Sequence, residues 1–217
     1  SGAINVLADD DVSFGAAGAI SSASGNVVVT ADADGVADGT SGALFMADGA
    51  VIDAGSGTIA LSADEDVTLG RLVTSNDTAT AVGITSTSGG VVDGGDTGGA
   101  DIEATGANAV VTINAVSGVG SAGALDTTIT TLALNNTTSG NVDINETDAL
   151  NINEIDQDAA TGTVNVDAGG TITVVAGEAG VSALGGQVEL DANGASAGVV
   201  VNATVSSTSG AINVLAD

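Results

Sequence analysis

SGAINVLADDDVSFG, residues 1–15, aligns without a gap to SGTIALSADEDVTLG, residues 56–70, and this pair of stretches decides the fold. The two copies share eight identities and four conservative exchanges. Their common template is Gly-x-U-x-U-x-Ala-Asp-x-Asp-U-x-U-Gly, where U is an apolar residue. Apolar and polar residues alternate on both sides of the acidic turn, and a period of two is typical of a β-strand with one buried face.

Weaker copies of the template recur along the chain at the length of one solenoid coil. They begin at Gly25, Gly140, Gly162 and Gly186, and the last of them leads into the closing SGAINVLAD. From Gly140 onwards the copies follow one another at roughly 22–24 residues, a length that accommodates three short strands with their turns. Stacking such units buries an inner face that no single unit can bury by itself. The template therefore predicts a three-sided parallel β-helix.

Composition supports this all-β prediction and opposes helices. The chain of 217 residues has 33 Gly, no Pro and almost no Lys, Arg, Gln or Met, while β-branched residues are abundant. We expect an all-β, right-handed parallel β-helix of about eight coils with roughly 22–32 residues per coil. Phe14 and Phe45 are predicted to fill the core of wider coils. Residues 71–138 fit the template poorly, which predicts a longer loop or a coil with an insertion there.

The first nine residues, SGAINVLAD, return unchanged at 209–217. Identical sequences at both ends are typical of a tandem array, in which the second copy begins the next repeat. We expect residues 1–208 to form one long solenoid repeat and residues 209–217 to form the first strand of the next. End-to-end docking of separate chains is the alternative, because an open solenoid end exposes unpaired strand edges.

The charged and reactive residues exclude most classes of function. The chain has no His and no Cys, so it lacks imidazole acid–base pairs, thiolate nucleophiles and ordinary zinc sites. With 28 acidic residues and Arg71 as the one basic residue, its net charge of -27 argues against nucleic-acid binding. No stretch is apolar enough for membrane insertion. We expect no catalytic residues and no enzymatic activity.

Three acidic turns occupy equivalent positions of the template: residues 9–11, 32–34 and 64–66. If the coils stack, their carboxylates come close together, and a hard, oxygen-binding cation such as calcium would relieve the repulsion. Asp9, Asp11, Asp64 and Asp66 are the candidate ligands, and calcium is the one cofactor considered. The alternative is a solvated turn in which Asp bonds its own backbone. The segment GGDTGGADIEA, residues 94–104, only partly follows the GGxGxDxUx pattern of calcium-binding β-rolls.

The stretches GNVVVTADADG, GTIALSADEDVTLG and GTVNVDAGGTITV resemble repeats of filamentous-haemagglutinin-type adhesins and related giant bacterial surface proteins. The resemblance implies a right-handed parallel β-helix at the cell surface or outside the cell. It also implies a structural and adhesive role for a rigid rod. Its partners would be neighbouring repeats, copies of itself end to end, or polysaccharide of the surface or matrix. A carbohydrate-binding or carbohydrate-cleaving β-helix module is the alternative function.

Overall fold

The computed structural model describes residues 2–35 and 42–216, and every regular element in these two ranges is a β-strand. No helix that could cross a bilayer is found among them. The strands are β1 Ile4–Leu7, β2 Val12–Phe14, β3 Ala19–Ser21, β4 Val27–Thr30, β5 Leu44–Met46, β6 Val51–Asp53, β7 Ile59–Ala63, β8 Val67–Leu69, β9 Arg71–Thr74, β10 Val82–Ser86, β11 Val91–Asp93, β12 Ile102–Ala104, β13 Val110–Ala115, β14 Leu125–Ile129, β15 Thr131–Asn136, β16 Val142–Glu146, β17 Leu150–Gln157, β18 Val164–Ala168, β19 Ile172–Val174, β20 Gly180–Ala183, β21 Val188–Ala192, β22 Val199–Val201, β23 Val205–Ser207 and β24 Ile212–Ala216.

The strands stack as a parallel β-solenoid of about nine turns, which confirms the predicted fold class. Each strand pairs in parallel with its counterpart in the next coil. The largest sheet has 11 strands, which are the path β1-β4-β7-β10-β13-β15-β17-β19-β22 and, beside it, β20 and β23. Two further sheets contain four and nine strands. Neighbouring coils are therefore joined by backbone hydrogen bonds along the whole rod.

Coil lengths follow from the register between neighbouring strands. Ile4 pairs with Val27 and Val27 pairs with Ile59, so the second coil is longer than the first. The coil between the paired strands β10 and β13 is also long and includes the loop of residues 94–100, which is the longer coil predicted within 71–138. In the last coils, β16, β18, β21 and β24 pair in register at the spacing that the template predicts.

The long strand of each coil changes face along the rod. In the opening coils the strand that begins each template copy, which we term the template strand, lies in the 11-stranded sheet. In the first coil this is β1, and two short strands follow it. Between Val110 and Ala168 the coils contain two long strands instead, for example β15 and β16. In the closing coils β18, β21 and β24 carry the template in the nine-stranded sheet. The identical sequences of β1 and β24 therefore lie on different faces.

The core is a continuous column of Val, Ile, Leu and Ala side chains. Burial alternates residue by residue, as in β14 and β15, so the inward residues are those that the period of two selects. Phe14 packs half-buried against this column. The prediction for Phe45 is wrong, because Leu44 and Met46 take the inward positions of β5 and leave Phe45 47% exposed.

Candidate functional site

The predicted calcium ligands lie at a corner where the first coils stack. The Ala8 N–H donates to Thr30 O, and the Ala31 N–H donates to Ser62 O, so the turns after these strands follow one another along the rod. Asp9 is exposed. The part of the chain that the structure describes has one group of three acidic ligand atoms close enough to share an ion, and none of the four candidates belongs to it.

Three of the four candidates use a carboxylate oxygen to hold the next coil. Asp11 Oδ1 accepts hydrogen bonds from the backbone N–H groups of Gly42 and Ala43, at 2.8 and 3.0 Å, and these bonds lower the pKa of Asp11. Asp66 Oδ1 accepts from the Gly90 N–H at 2.7 Å, and Asp64 Oδ1 accepts from the Thr87 hydroxyl at 2.5 Å. Calcium binding at these turns stays a prediction. An ion there would compete with the N–H and hydroxyl donors of the next coil for the same carboxylate oxygens.

An asparagine that directly precedes a strand makes the same kind of bond elsewhere in the solenoid. Asn26 Oδ1 accepts from the Thr58 N–H, and Asn141 Oδ1 accepts from the Thr163 N–H, each at 3.1 Å. A neutral amide therefore makes the bond that Asp11 and Asp66 make. The residues that precede these strands share the function of joining one coil to the next.

The group of three acidic ligand atoms consists of Asp93, Asp96 and Asp101, which we term the Asp93 cluster. One carboxylate oxygen from each residue lies within 4.8 Å of the other two. Asp93 ends β11 and Asp101 directly precedes β12, and the glycine-rich residues 94–100 between them form a loop, which we term the cover loop. The cluster therefore lies in the longer coil rather than at the template turns.

Specific hydrogen bonds fix the cover loop. Asp93 Oδ1 accepts from the Gly95 N–H at 2.6 Å. Asp48, two coils earlier, accepts from both the N–H and the hydroxyl of Thr97, at 2.8 and 2.7 Å. Gly95, Gly98 and Gly99 have φ values of 116°, 101° and 127°, a region that side chains with a Cβ rarely adopt, so the loop depends on glycine there.

Asp101 is the unusual member of the Asp93 cluster because its side chain is completely buried. Its Oδ2 accepts a hydrogen bond from the Asp126 N–H at 2.9 Å, whereas its Oδ1 has no partner among the described residues. Burial raises the pKa of Asp101 to about 8, and the negative charges of Asp93, Asp126 and Asp96 add to the increase. An isolated carboxylate in such a place is unstable as an anion.

Arg71 does not neutralise the Asp93 cluster. Its guanidinium pairs with Glu103, with Nη2 and Nε at 2.8 and 2.9 Å from Oε1. This is the one ion pair of the described residues. Since the sequence contains no other Lys or Arg, the chain has no second basic side chain for the cluster.

A second buried acid, Glu146, has hydrogen-bond partners on both carboxylate oxygens. It accepts from the Thr127 hydroxyl at 2.7 Å and from the backbone N–H groups of Ile129 and Asp148, at 3.1 and 3.2 Å. Burial nevertheless raises the pKa of Glu146 to about 7. The side chain joins β14 of the preceding coil to the turn that follows Glu146, which is a structural role.

The two ends of the solenoid expose apolar side chains. Six of the eight large hydrophobic residues that are exposed lie in the first coil or in the last strands: Leu7, Val200, Val201, Ile212, Val214 and Leu215. Ile212 and Val214 occupy the inward register of β21, whose Val188 and Leu190 are fully buried. Their exposure results from the absence of a further coil above β24 among the described residues.

Comparisons with known proteins give no relative from which a function could be transferred. No protein-family model matches the chain, and searches among curated proteins and among solved structures found no match.

Proposed function

We propose that this chain is a structural and adhesive repeat of an extracellular filament or giant surface protein, in which it acts as a rigid rod. The solenoid supports this proposal through its shape. Coils that hydrogen-bond at about 4.8 Å give a rod on the order of 40 Å for eight coil steps. The resemblance to filamentous-haemagglutinin-type repeats adds the adhesive role and the location.

The observation that carries the proposal is the position of β24. This strand has the sequence of β1, and it pairs in register with β21 from Val188–Ile212 to Ala192–Ala216. In the opening coil, the template strand is followed by two short strands, β2 and β3. A following repeat would place their counterparts above the short strands β22 and β23. The rod could then continue without a break in its core.

The same register gives the geometry of the array. The distance in sequence between the two copies of SGAINVLAD corresponds to eight coils plus one face, because β1 and β24 lie in different sheets. Each repeat would be rotated by about a third of a turn relative to the previous one. The apolar side chains exposed at β24, Ile212 and Val214, would be buried by the next coil, which adds a hydrophobic gain to each junction.

The carbohydrate-cleaving alternative requires an acid that can reach its substrate. Asp101 has the raised pKa of a general acid, but its side chain is fully buried, so it cannot touch a glycosidic oxygen in this conformation. Screening the protein against acidic and neutral polysaccharides distinguishes binding from cleavage. Cleavage that disappears when one carboxylate is changed would contradict the structural proposal.

The test of the proposal is a chain in which a second copy of residues 10–217 directly follows Asp217. We expect one rod of about twice the length by small-angle X-ray scattering, with a higher melting temperature than the single repeat. The control joins two repeats through a flexible Gly-Ser linker, and a Val214→Asp variant disturbs the junction alone. Two bodies that move independently and melt like the single repeat would overturn the proposal.

A further inference from the structure

We propose that Asp93, Asp96 and Asp101 bind one calcium ion beneath the cover loop. Two independent observations lead to this site: the approach of three carboxylates to within 4.8 Å, and a fully buried Asp101 oxygen with no hydrogen-bond partner among the described residues. The site differs from the template turns that contain Asp9, Asp11, Asp64 and Asp66. It also does not depend on whether repeats are joined in an array.

The Asp101 Oδ1 atom is the buried group that a cation would satisfy. A buried polar atom without a partner costs free energy, and a buried carboxylate costs more than a neutral group. Neither the backbone nor a side chain of the described residues satisfies this oxygen. Arg71, the one basic residue of the chain, pairs with Glu103 instead. A cation supplies the missing partner and also balances the charge of Asp93 and Asp96.

The distances between the three carboxylates and the chemistry of their oxygens favour calcium. Calcium binds oxygen at about 2.3–2.6 Å, so two ligands of the same ion lie no more than about 5 Å apart. The three carboxylates satisfy this limit. Zinc prefers nitrogen and sulfur ligands, and the chain contains no His or Cys. Magnesium requires a nearly ideal octahedron and keeps several waters, whereas calcium tolerates an irregular site with several carboxylates.

Backbone N–H groups orient two of the three ligands. The Gly95 N–H donates to Asp93 Oδ1, and the Asp126 N–H donates to Asp101 Oδ2. Each of these two carboxylates is therefore held through one oxygen and keeps the other for an ion. Such outer contacts are typical of metal ligands. Asp96 lies exposed on the cover loop, which Asp48 fixes through Thr97. Asp96 is thus the ligand through which an ion would hold the loop against the rod.

The experiment uses the full chain after dialysis against EDTA, titrated with calcium chloride by calorimetry at constant ionic strength. We expect one calcium per chain and an increase in melting temperature that equimolar magnesium does not match. Asp96→Asn should weaken calcium binding at least about tenfold, since it removes one charged ligand. Because Asp96 is exposed, this variant keeps the fold even if Asp101→Asn does not.

The matched control is Asp158→Asn, which makes the same charge change at an exposed position in another coil. Unchanged calcium binding in this variant, together with the loss in Asp96→Asn, supports the site. Equal weakening in both variants would show diffuse counterion attraction and overturn the proposal. So would a calcium response that is lost in Asp64→Asn or Asp66→Asn but kept in Asp96→Asn, because the ion would then bind at the template turns.

Discussion

Replacing Gly57 by Ala should destabilise the solenoid, because two coils touch backbone to backbone at this residue. A Cβ atom on Gly57 would lie 2.3 Å from Gly25 O and 2.5 Å from Gly25 C, whereas real Cβ contacts under 3.0 Å essentially do not occur. The coils must therefore separate locally by about 0.7 Å. Gly57 has no positive φ, so the effect comes from this contact and not from backbone strain.

The separation weakens the ladder beside Gly57. The Val27 N–H donates to Thr58 O at 2.8 Å, and the same shift would stretch this bond to about 3.5 Å, beyond the normal range of N–H···O bonds. Overpacking costs about 1–3 kcal/mol, and a lost hydrogen bond adds about 0.5–1.5 kcal/mol. We expect the free energy of unfolding to fall by about 2–4 kcal/mol.

Urea unfolding followed by far-UV circular dichroism measures this loss in a chain that has no Trp or Tyr. Gly83→Ala is the matched control, because Gly83 lies in β10, one coil further in the same sheet, and no atom lies within 4 Å of its added Cβ. Its stability should stay the same or rise by about 0.5–1 kcal/mol. Equal urea midpoints for Gly57→Ala and Gly83→Ala would refute the reasoning from coil contact.

Three further predictions concern charge and packing. Glu146 has a pKa of about 7 in the folded state, against an ordinary value of 4.5. Its contribution to stability is therefore fully present below about pH 4.5 and is lost as the pH rises towards 7, at up to about 1.4 kcal/mol per pH unit. Glu146→Gln should flatten this part of the pH profile in urea unfolding, and an unchanged slope would contradict the assignment. The melting temperature should rise smoothly with sodium chloride, because salt screens the mutual repulsion of acidic residues in a chain of net charge -27, over about 10 Å at 0.1 M. A melting temperature that does not change with salt would contradict this. Leu132→Ala, at a fully buried position, should lower the free energy of unfolding in urea by about 2–5 kcal/mol. Val73→Ala, on the outer side of β9, should lower it by less than about 1 kcal/mol. Similar losses in the two variants would contradict the assigned faces.

The sequence was sufficient for the strands and for the coil length wherever the template is regular. In Val142–Glu146 and Val164–Ala168, apolar and polar residues alternate, and each alternation specifies which side chains point inward. The same alternation, repeated at a nearly constant spacing in the next strand of the sheet, specifies the stacking. These features are local or periodic, so they can be read without knowledge of the remaining chain.

Phe45 shows where local patterns become ambiguous. Residues 43–46 read Ala-Leu-Phe-Met, an apolar stretch without alternation, so either Phe45 or its two neighbours could face the core. The parallel pairing of Leu44 with Val12 on one side and with Val67 on the other fixes the choice. A shift by one residue would have reversed every side chain of the strand.

The Asp93 cluster could not be derived from the sequence, although the segment 94–104 gave a partial signal through its likeness to calcium-binding β-rolls. If the alternation of β12 is extended back by one residue, Asp101 falls on the outer side, where an acid is normally solvated. Its buried carboxylate lies beside Asp96 of the cover loop and accepts a hydrogen bond from the Asp126 N–H, which comes from the next coil. Neither contact has a signature in the residues next to Asp101.

The sequence by itself determined that this chain forms parallel strands, how long most coils are, and that the nine residues around β1 recur at its end. Only the tertiary structure decided that β1 and β24 lie in different sheets and that Asp101 is enclosed. The physical reason is that strand formation and inward or outward direction depend on neighbouring residues, whereas the face of a strand depends on the summed lengths of all preceding coils. Those lengths differ from coil to coil, as the pairs Val27–Ile59 and Leu132–Ile152 of one sheet show, and each is fixed by hydrogen bonds between residues that are distant in the sequence.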